Sequence, residues 1–178
     1  MANHAVLIQN QVAAMNVASY NRSVTSGSDA IDNGNVFSLV AQTSGSGAEV
    51  WTVVTPTTGS LGKLWMAASP EVNVLESGTL QYKGLNQDPR LFYNVGGKVF
   101  DAFLPVPGDI ITLTVDAFDT APSAFAVAAN ASGKLVAASG HVAGVFCLRY
   151  LATNYISIGS GAIDSQRVDA YKCEVIEN

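Results

Sequence analysis

Apolar and polar residues alternate over residues 110–116, and this is the clearest pattern in the chain. Ile111, Leu113 and Val115 stand at every second position, with threonines or an aspartate between and after them. A period of two with β-branched residues is typical of a strand that packs one face on a core. The preceding residues 105–109 (Pro-Val-Pro-Gly-Asp) predict a rigid turn into this strand.

The same alternation recurs near the last residues, over 168–176. We expect one side of this stretch and one side of 110–116 to be buried as the inward faces of two strands. The residues predicted to be buried are Ile111, Leu113, Val115, Tyr171, Cys173 and Val175.

Short segments rich in β-branched and aromatic residues recur along the whole chain, with turn-forming residues between them. The candidate strands are 35–41, 49–55, 61–67, 79–83, 91–95, 110–116, 124–129, 134–138, 144–151 and 168–176. Turn signals fall at 32–34, 58–59, 96–97 and 131–133. Nine or ten short strands with turns between them predict an all-β fold, an antiparallel β-sandwich or barrel with little helix.

Two segments leave the choice of element open. Residues 11–19 suit either a short helix or a strand, and the alanine-rich 125–139 is favourable for a helix by propensity alone. The central Asn-Ala-Ser-Gly of the second segment favours a hairpin instead. Residues 1–20 are therefore interpreted as either an N-terminal arm or a first strand, ahead of a single β domain over 21–178.

Charge and composition narrow the function classes. The 178 residues carry a net charge of −5, and the nine basic residues are scattered singly. Nucleic-acid binding needs a basic patch, so we expect no nucleic-acid partner. No Lys or Arg occurs in residues 1–20, and the apolar runs are far shorter than a membrane span. We therefore expect no signal peptide and no membrane partner, and synthesis in a cytoplasm.

Candidate catalytic groups are few and isolated. The two histidines are His4 and His141, and the second follows Ser139 in a loop, a spacing that does not provide a catalytic triad. The acids Asp101, Asp109, Asp116 and Asp119 match no calcium loop, and Glu71 with Glu76 resembles paired glycosidase acids by spacing alone. We expect no catalytic, metal or cofactor-binding residues, no cofactor, and no enzyme activity.

The remaining candidates are cysteines and aromatic side chains. Cys147 and Cys173 are expected to be buried free thiols, or a pair if their strands are neighbours. The aromatic residues of the middle third are expected in the core rather than on a carbohydrate- or protein-binding surface. They are Trp51, Trp65, Tyr82, Phe92, Tyr93, Phe100 and Phe103.

Three strand-and-turn phrases carry a resemblance to a known family. They are residues 31–39 (IDNGNVFSL), 107–116 (PGDIITLTVD) and 167–176 (RVDAYKCEVI). With the segments that link them, the chain from Asp29 to Asn178 resembles head decoration (cement) proteins of tailed bacteriophages that infect Gram-positive bacteria. In that family the last phrase is a final strand.

The resemblance implies a structural virion protein that binds the outer surface of the assembled capsid and stabilises it. The implied partner is the major capsid protein, with self-association into a homo-oligomer, expected as a trimer. The capsid-binding residues are not identified by the sequence. Two alternatives stay open: another virion component such as a tail or fibre domain, and a carbohydrate-binding β-sandwich that exposes Trp51 or Trp65.

Overall fold

The structure is a computed structural model that describes residues 3–43, 49–56, 62–77, 80–85, 88–128, 132–158 and 166–178, with the backbone alone over 72–77 and 80–85. Thirteen strands lie in the described residues. They are β1 (Leu7–Gln11), β2 (Asn21–Thr25), β3 (Val36–Gln42), β4 (Val50–Val54), β5 (Trp65–Ala67), β6 (Val72–Ser77), β7 (Leu80–Leu85), β8 (Val99–Phe103), β9 (Ile110–Thr114), β10 (Phe125–Val127), β11 (Val136–Ala138), β12 (Cys147–Ile158) and β13 (Gln166–Glu177). The predicted all-β fold with little helix is confirmed, because the helical elements described are four three-residue 3-10 turns.

Six strands form one antiparallel sheet, hereafter the sheet, in the order β1-β9-β13-β12-β10-β11. Five others close into a small barrel in the order β2-β4-β3-β5-β8. The barrel departs from the purely antiparallel expectation, because β2 and β4 run parallel. The β6–β7 hairpin forms a separate two-stranded sheet.

The main core lies between the barrel and the sheet. Barrel residues such as Met66 and Phe103 and sheet residues such as Leu113, Leu148 and Val175 belong to one buried cluster. A second cluster, which includes Phe37 and Phe100, fills the barrel interior. Burial of apolar area on this scale is the main favourable term for such a fold.

Polar contacts also join the two sheets. The side chain of Asn178 accepts a hydrogen bond from Leu64 N at 2.8 Å and donates to the carbonyl oxygens of Leu64 and Pro105 at 2.9 and 2.7 Å.

Gly34 in the predicted turn 32–34 has a φ of +88°, and a Cβ built there would meet Leu113 Cδ2 at 2.5 Å. This position therefore requires glycine both for its backbone conformation and for close packing.

Four of the six residues predicted to be buried are fully enclosed, namely Ile111, Leu113, Cys173 and Val175. Tyr171 is partly buried, with its ring 5.4 Å from that of Phe118. The prediction for Val115 was wrong, because β9 ends at Thr114 and the chain turns into a 3-10 helix that leaves Val115 37% exposed.

The two open choices have structural answers. Residues 7–11 pair antiparallel with β9 as the edge strand β1, and residues 13–15 and 18–20 form short 3-10 turns. Residues 125–127 and 136–138 pair as the antiparallel hairpin β10–β11, so the hairpin prediction is confirmed.

One predicted strand is wrong and several were missed. Residues 91–95 contain the end of a 3-10 helix and a single bridge from Asn94 to Ile31. The strands missed in the sequence are β2, β6 and β8, whereas β1 lies in the segment 1–20 that was left open as an arm or a first strand. Polar residues occupy much of β2, and Asp101 interrupts the apolar pattern of β8. The predicted turn at 58–59 and the start of that at 131–133 lie outside the described residues.

Candidate functional site

His141 is held by an acid on the neighbouring strand. Its Nε2 lies 2.6 Å from Glu177 Oε2, while Gly144 N donates to Glu177 Oε1 at 2.6 Å. The Gly144 N–H and then the His141 side chain lower the pKa of the Glu177 carboxyl. No hydrogen bond joins Ser139 to His141 in this described part of the chain. The contact braces the 140–144 loop and brings no nucleophile to the imidazole.

His4 has a similar bracing contact, with Asp32. Its Nδ1 lies 2.7 Å from Asp32 Oδ1, and Ala5 N donates to the other oxygen of Asp32 at 3.3 Å. The His4 ring lies 4.8 Å from the Tyr93 ring. These contacts fix the segment before β1 onto the turn at residues 32–34.

The acidic series does not converge on a site. Asp109 is buried and accepts hydrogen bonds from Ala13 N and Val106 N at 2.9 Å each. Asp101 and Asp119 are exposed. Burial raises the pKa of Asp116, although the positive charge of Lys134 acts to lower it. Among the described residues, no group of three His, Cys, Asp or Glu side chains could hold a metal ion.

The side chain of only one of the two acids paired by spacing lies in the described residues. Glu71 is partly buried, and burial raises the pKa of its carboxyl. The side chain of Glu76 lies outside the described residues.

Most of the aromatic residues belong to the core, as expected. Phe92, Phe100, Phe103 and Trp65 are buried, and Arg22 lies 5.4 Å above the Trp65 ring. The aromatic residues that depart from the expectation are Trp51, which is half-buried, and Tyr93, which is 41% exposed. The side chain of Tyr82 is outside the described residues.

The two cysteines lie on neighbouring strands but are both free and buried. Cys147 is opposite Glu177, whereas Cys173 is opposite Tyr150, so the thiols are displaced along the β12–β13 hairpin. Burial raises the pKa of Cys173 to about 12, so its thiol stays protonated and a poor nucleophile.

A groove of about 510 Å³ with a mainly apolar lining runs beside β1. We name it the β1 groove. Its residues come from β1 and the position before it, from the segment after β5, and from three single positions elsewhere in the chain. They are Val6, Leu7, Ile8, Gln9, Asn33, Ala68, Ser69, Pro70, Glu71, Pro89 and Ile156. A smaller depression of about 350 Å³ next to it shares Gln9, Ala68 and Pro70.

Sequence reasoning did not find the β1 groove. Its walls meet only in the folded chain, because β1, residues 68–71 and Ile156 are far apart in sequence. The one available signal was the uncharged, proline-free run Leu7–Gln11. Such a run is unusual for an exposed sheet edge.

No helix in the described part of the chain is long and apolar enough to cross a bilayer. Neither a protein-family model, nor a characterised protein, nor a solved structure shows a significant match to this chain.

Proposed function

We propose that this protein is a non-enzymatic structural component of a phage virion. In this proposal it is made in the host bacterial cytoplasm, binds the outer surface of the assembled capsid and stabilises the shell. The partner is the major capsid protein, with self-association into a homo-oligomer on the shell. Nucleic acid and membrane are not partners in this proposal.

The observation that carries the proposal is that the three phrases behind the family resemblance meet in space. Residues 107–116 include β9 and residues 167–176 lie in β13, and these strands pair through Leu113 and Tyr171. The turn of the first phrase packs Gly34 against Leu113. Three segments far apart in sequence thus form one contiguous unit, which is what a shared fold requires.

The arrangement of side chains also suits a structural role. In the described residues the histidines and acids serve as braces between loops and strands. A standard interface buries about 800 Å² on each partner, a small share of the 9460 Å² surface of this chain. Many symmetric copies multiply even a small stabilisation of the shell.

The direct test compares binding to mature, expanded heads of the cognate phage with binding to unassembled capsid subunits. We expect saturable co-sedimentation with heads and weak binding to subunits, because a site built from several subunits exists only after assembly. Binding should tolerate salt better than nucleic-acid binding does, since the charges of this chain are scattered.

Heads prepared with and without the protein would then be imaged and heated. Decorated heads should release their DNA at a higher temperature. Location of the protein in tails or fibres, or its absence from virions, would contradict the proposal and favour one of the two alternatives.

The absence of catalysis has its own test. His141→Ala removes the contact to Glu177 and should leave head binding unchanged, with Ser139→Ala as the matched control in the same loop. A hydrolytic activity of the wild-type protein that this variant alone abolishes would contradict the proposed non-enzymatic role.

A further inference from the structure

The outer edge of β1 has backbone groups with no partner strand in the described part of the chain. β1 lies at the end of the sheet, and its inner edge pairs with β9. Thr114 N donates to Val6 O at 3.1 Å, and this hydrogen bond shows which residues of the first strand have their backbone groups directed at β9. Val6 and Ile8 therefore face β9, and the N–H and C=O groups of Leu7 and Gln9 point outward.

The β1 groove opens onto this edge rather than onto one face of the strand. Four consecutive residues, Val6 to Gln9, line it. A groove on one face would be lined by every second residue, because side chains alternate across a strand. Residues 68–71 also line the groove, and Pro89 and Ile156 add to its apolar lining.

This edge lacks most of the features that usually block strand addition. Lysine, proline, bulges and short length protect natural edges. β1 has neither charge nor proline, and its irregularity lies between Gln9 and Gln11, beyond the groove. At the other end of the sheet, β11 is only three residues long.

Glu71 places one negative charge on the groove wall. It is partly buried, and each ion pair present in the described residues is made by other side chains. Burial raises the pKa of its carboxyl, and no cation among the described side chains pairs with it. A carboxylate in such a place gains from a cation brought by a ligand.

We propose that the β1 groove binds an extended segment of a partner chain, which adds a strand to β1 and sets a Lys or Arg side chain against Glu71. Main-chain hydrogen bonds to Leu7 and Gln9 provide affinity, and the side chain that meets Glu71 provides selectivity. Assigning this segment to the capsid subunit rests on the proposed function.

A second copy of this chain fits the groove less well. Its own exposed edge, Leu7–Gln11, carries no basic residue and would leave Glu71 unpaired. Two exposed basic side chains on strands, Arg149 and Arg167, are engaged with Glu174 and the Tyr155 ring in the same copy. The charge of the groove therefore favours a foreign basic strand.

The test uses two blocked hexapeptides and the full chain labelled with ¹⁵N. One peptide is acetyl-Thr-Val-Lys-Val-Thr-Val-amide, and the other has Glu in place of Lys. We expect the basic peptide to bind at least tenfold more tightly. Its binding should shift the amide signals of Leu7 and Gln9 and slow their hydrogen exchange.

Charge reversal provides the specific control. Glu71→Lys should reverse the preference toward the acidic peptide, and Glu71→Gln should abolish the preference if the lysine variant does not fold. Glu49→Lys makes the same change at an exposed position just before β4 and should retain the wild-type preference. Equal binding of both peptides, signal changes away from β1, or a peptide-free dimer that protects Leu7 and Gln9 would overturn the proposal.

Head binding separates this proposal from the function it rests on. If Glu71→Lys weakens head binding at least tenfold and Glu49→Lys does not, both stand. If wild type and Glu71→Lys bind heads equally, the groove assignment fails while the decoration function remains. If the peptides behave as expected and wild type does not bind heads, the decoration function fails while the groove remains a strand-binding site.

Discussion

The two halves of the long β12–β13 hairpin share the same strand pairing but differ in the strands that flank them. In the proximal half, residues 147–150 and 171–177, the pair is flanked by β10 on one side and by β9 on the other. In the distal half, residues 151–158 and 166–170, the strands pair with each other, and beyond Ala170 no other described strand flanks them. An irregularity in register between Tyr150 and Ala152 marks the boundary.

The halves also differ in what covers them. Leu148, Cys173 and Val175 of the proximal half belong to the main core between the barrel and the sheet. The distal half has a separate cluster of five small or branched residues, Val6, Ile156, Ile158, Val168 and Ala170. A two-stranded ribbon is marginal in water by itself, so we expect the packing of Val6 in this cluster to contribute to the stability of the distal half.

The largest expected effect contrasts two leucines three positions apart on β12. Leu148 is fully buried and Leu151 is 40% exposed. Leu148→Ala should lower the free energy of unfolding by roughly 2–5 kcal/mol because it opens a cavity in the main core. Leu151→Ala should change it by no more than about 0.5 kcal/mol. Urea unfolding of both variants measures the difference, and similar losses would show that the halves are equally packed.

A smaller effect should follow from uncovering the distal half. Val6→Ala removes two methyl groups from the distal cluster, where Val6 is 3% exposed, and should cost about 1–2 kcal/mol. Amide hydrogen exchange should accelerate at Ile156 and Val168 and stay slow at Leu148 and Cys173. Uniform acceleration over both halves would mean that the hairpin opens as one unit.

A contact on the outer face of the distal half should contribute less. The Arg167 guanidinium lies 4.4 Å from the centre of the Tyr155 ring, and Tyr155 is 47% exposed. An exposed cation–π pair is worth about 0.5–1 kcal/mol. A double-mutant cycle with Arg167→Ala and Tyr155→Ala should give a coupling in that range. A coupling energy of zero would show that the contact does not contribute to stability.

The smallest effect concerns reactivity rather than stability. Cys173 is fully buried in the proximal half, and its pKa is raised to about 12. At neutral pH the native thiol should resist alkylation by iodoacetamide, and it should react once the protein is unfolded. Burial also raises the pKa of Cys147, so both thiols should react together on unfolding. Rapid labelling of the native protein would show that the proximal half opens readily.

The sequence predicted those parts of the fold in which a local pattern decides the structure. The alternation over 110–114 placed Ile111 and Leu113 in the core, and the Asn-Ala-Ser-Gly signal predicted the β10–β11 hairpin. Val115 was misplaced because the strand ends one residue before it, and nothing in the alternation marks that end.

The rest depends on contacts between distant segments. The parallel pairing of β2 with β4 and the edge position of β1 are both set by tertiary packing, which has no local sequence signature. Glu71 was noted as one of two acids by spacing, yet its relevance comes from Val6 and Ile156 beside it in the folded chain.

The pairing of β1 with β9 has a consequence for synthesis of the chain. Val6 and Thr114 are 108 positions apart, so the first strand leaves the ribosome long before its partner exists. At roughly 5–20 residues per second, the wait is on the order of 5–20 seconds. During that time an uncharged strand is free to pair with other nascent chains. Slow translation or a shortage of chaperones should therefore lower the yield of soluble protein.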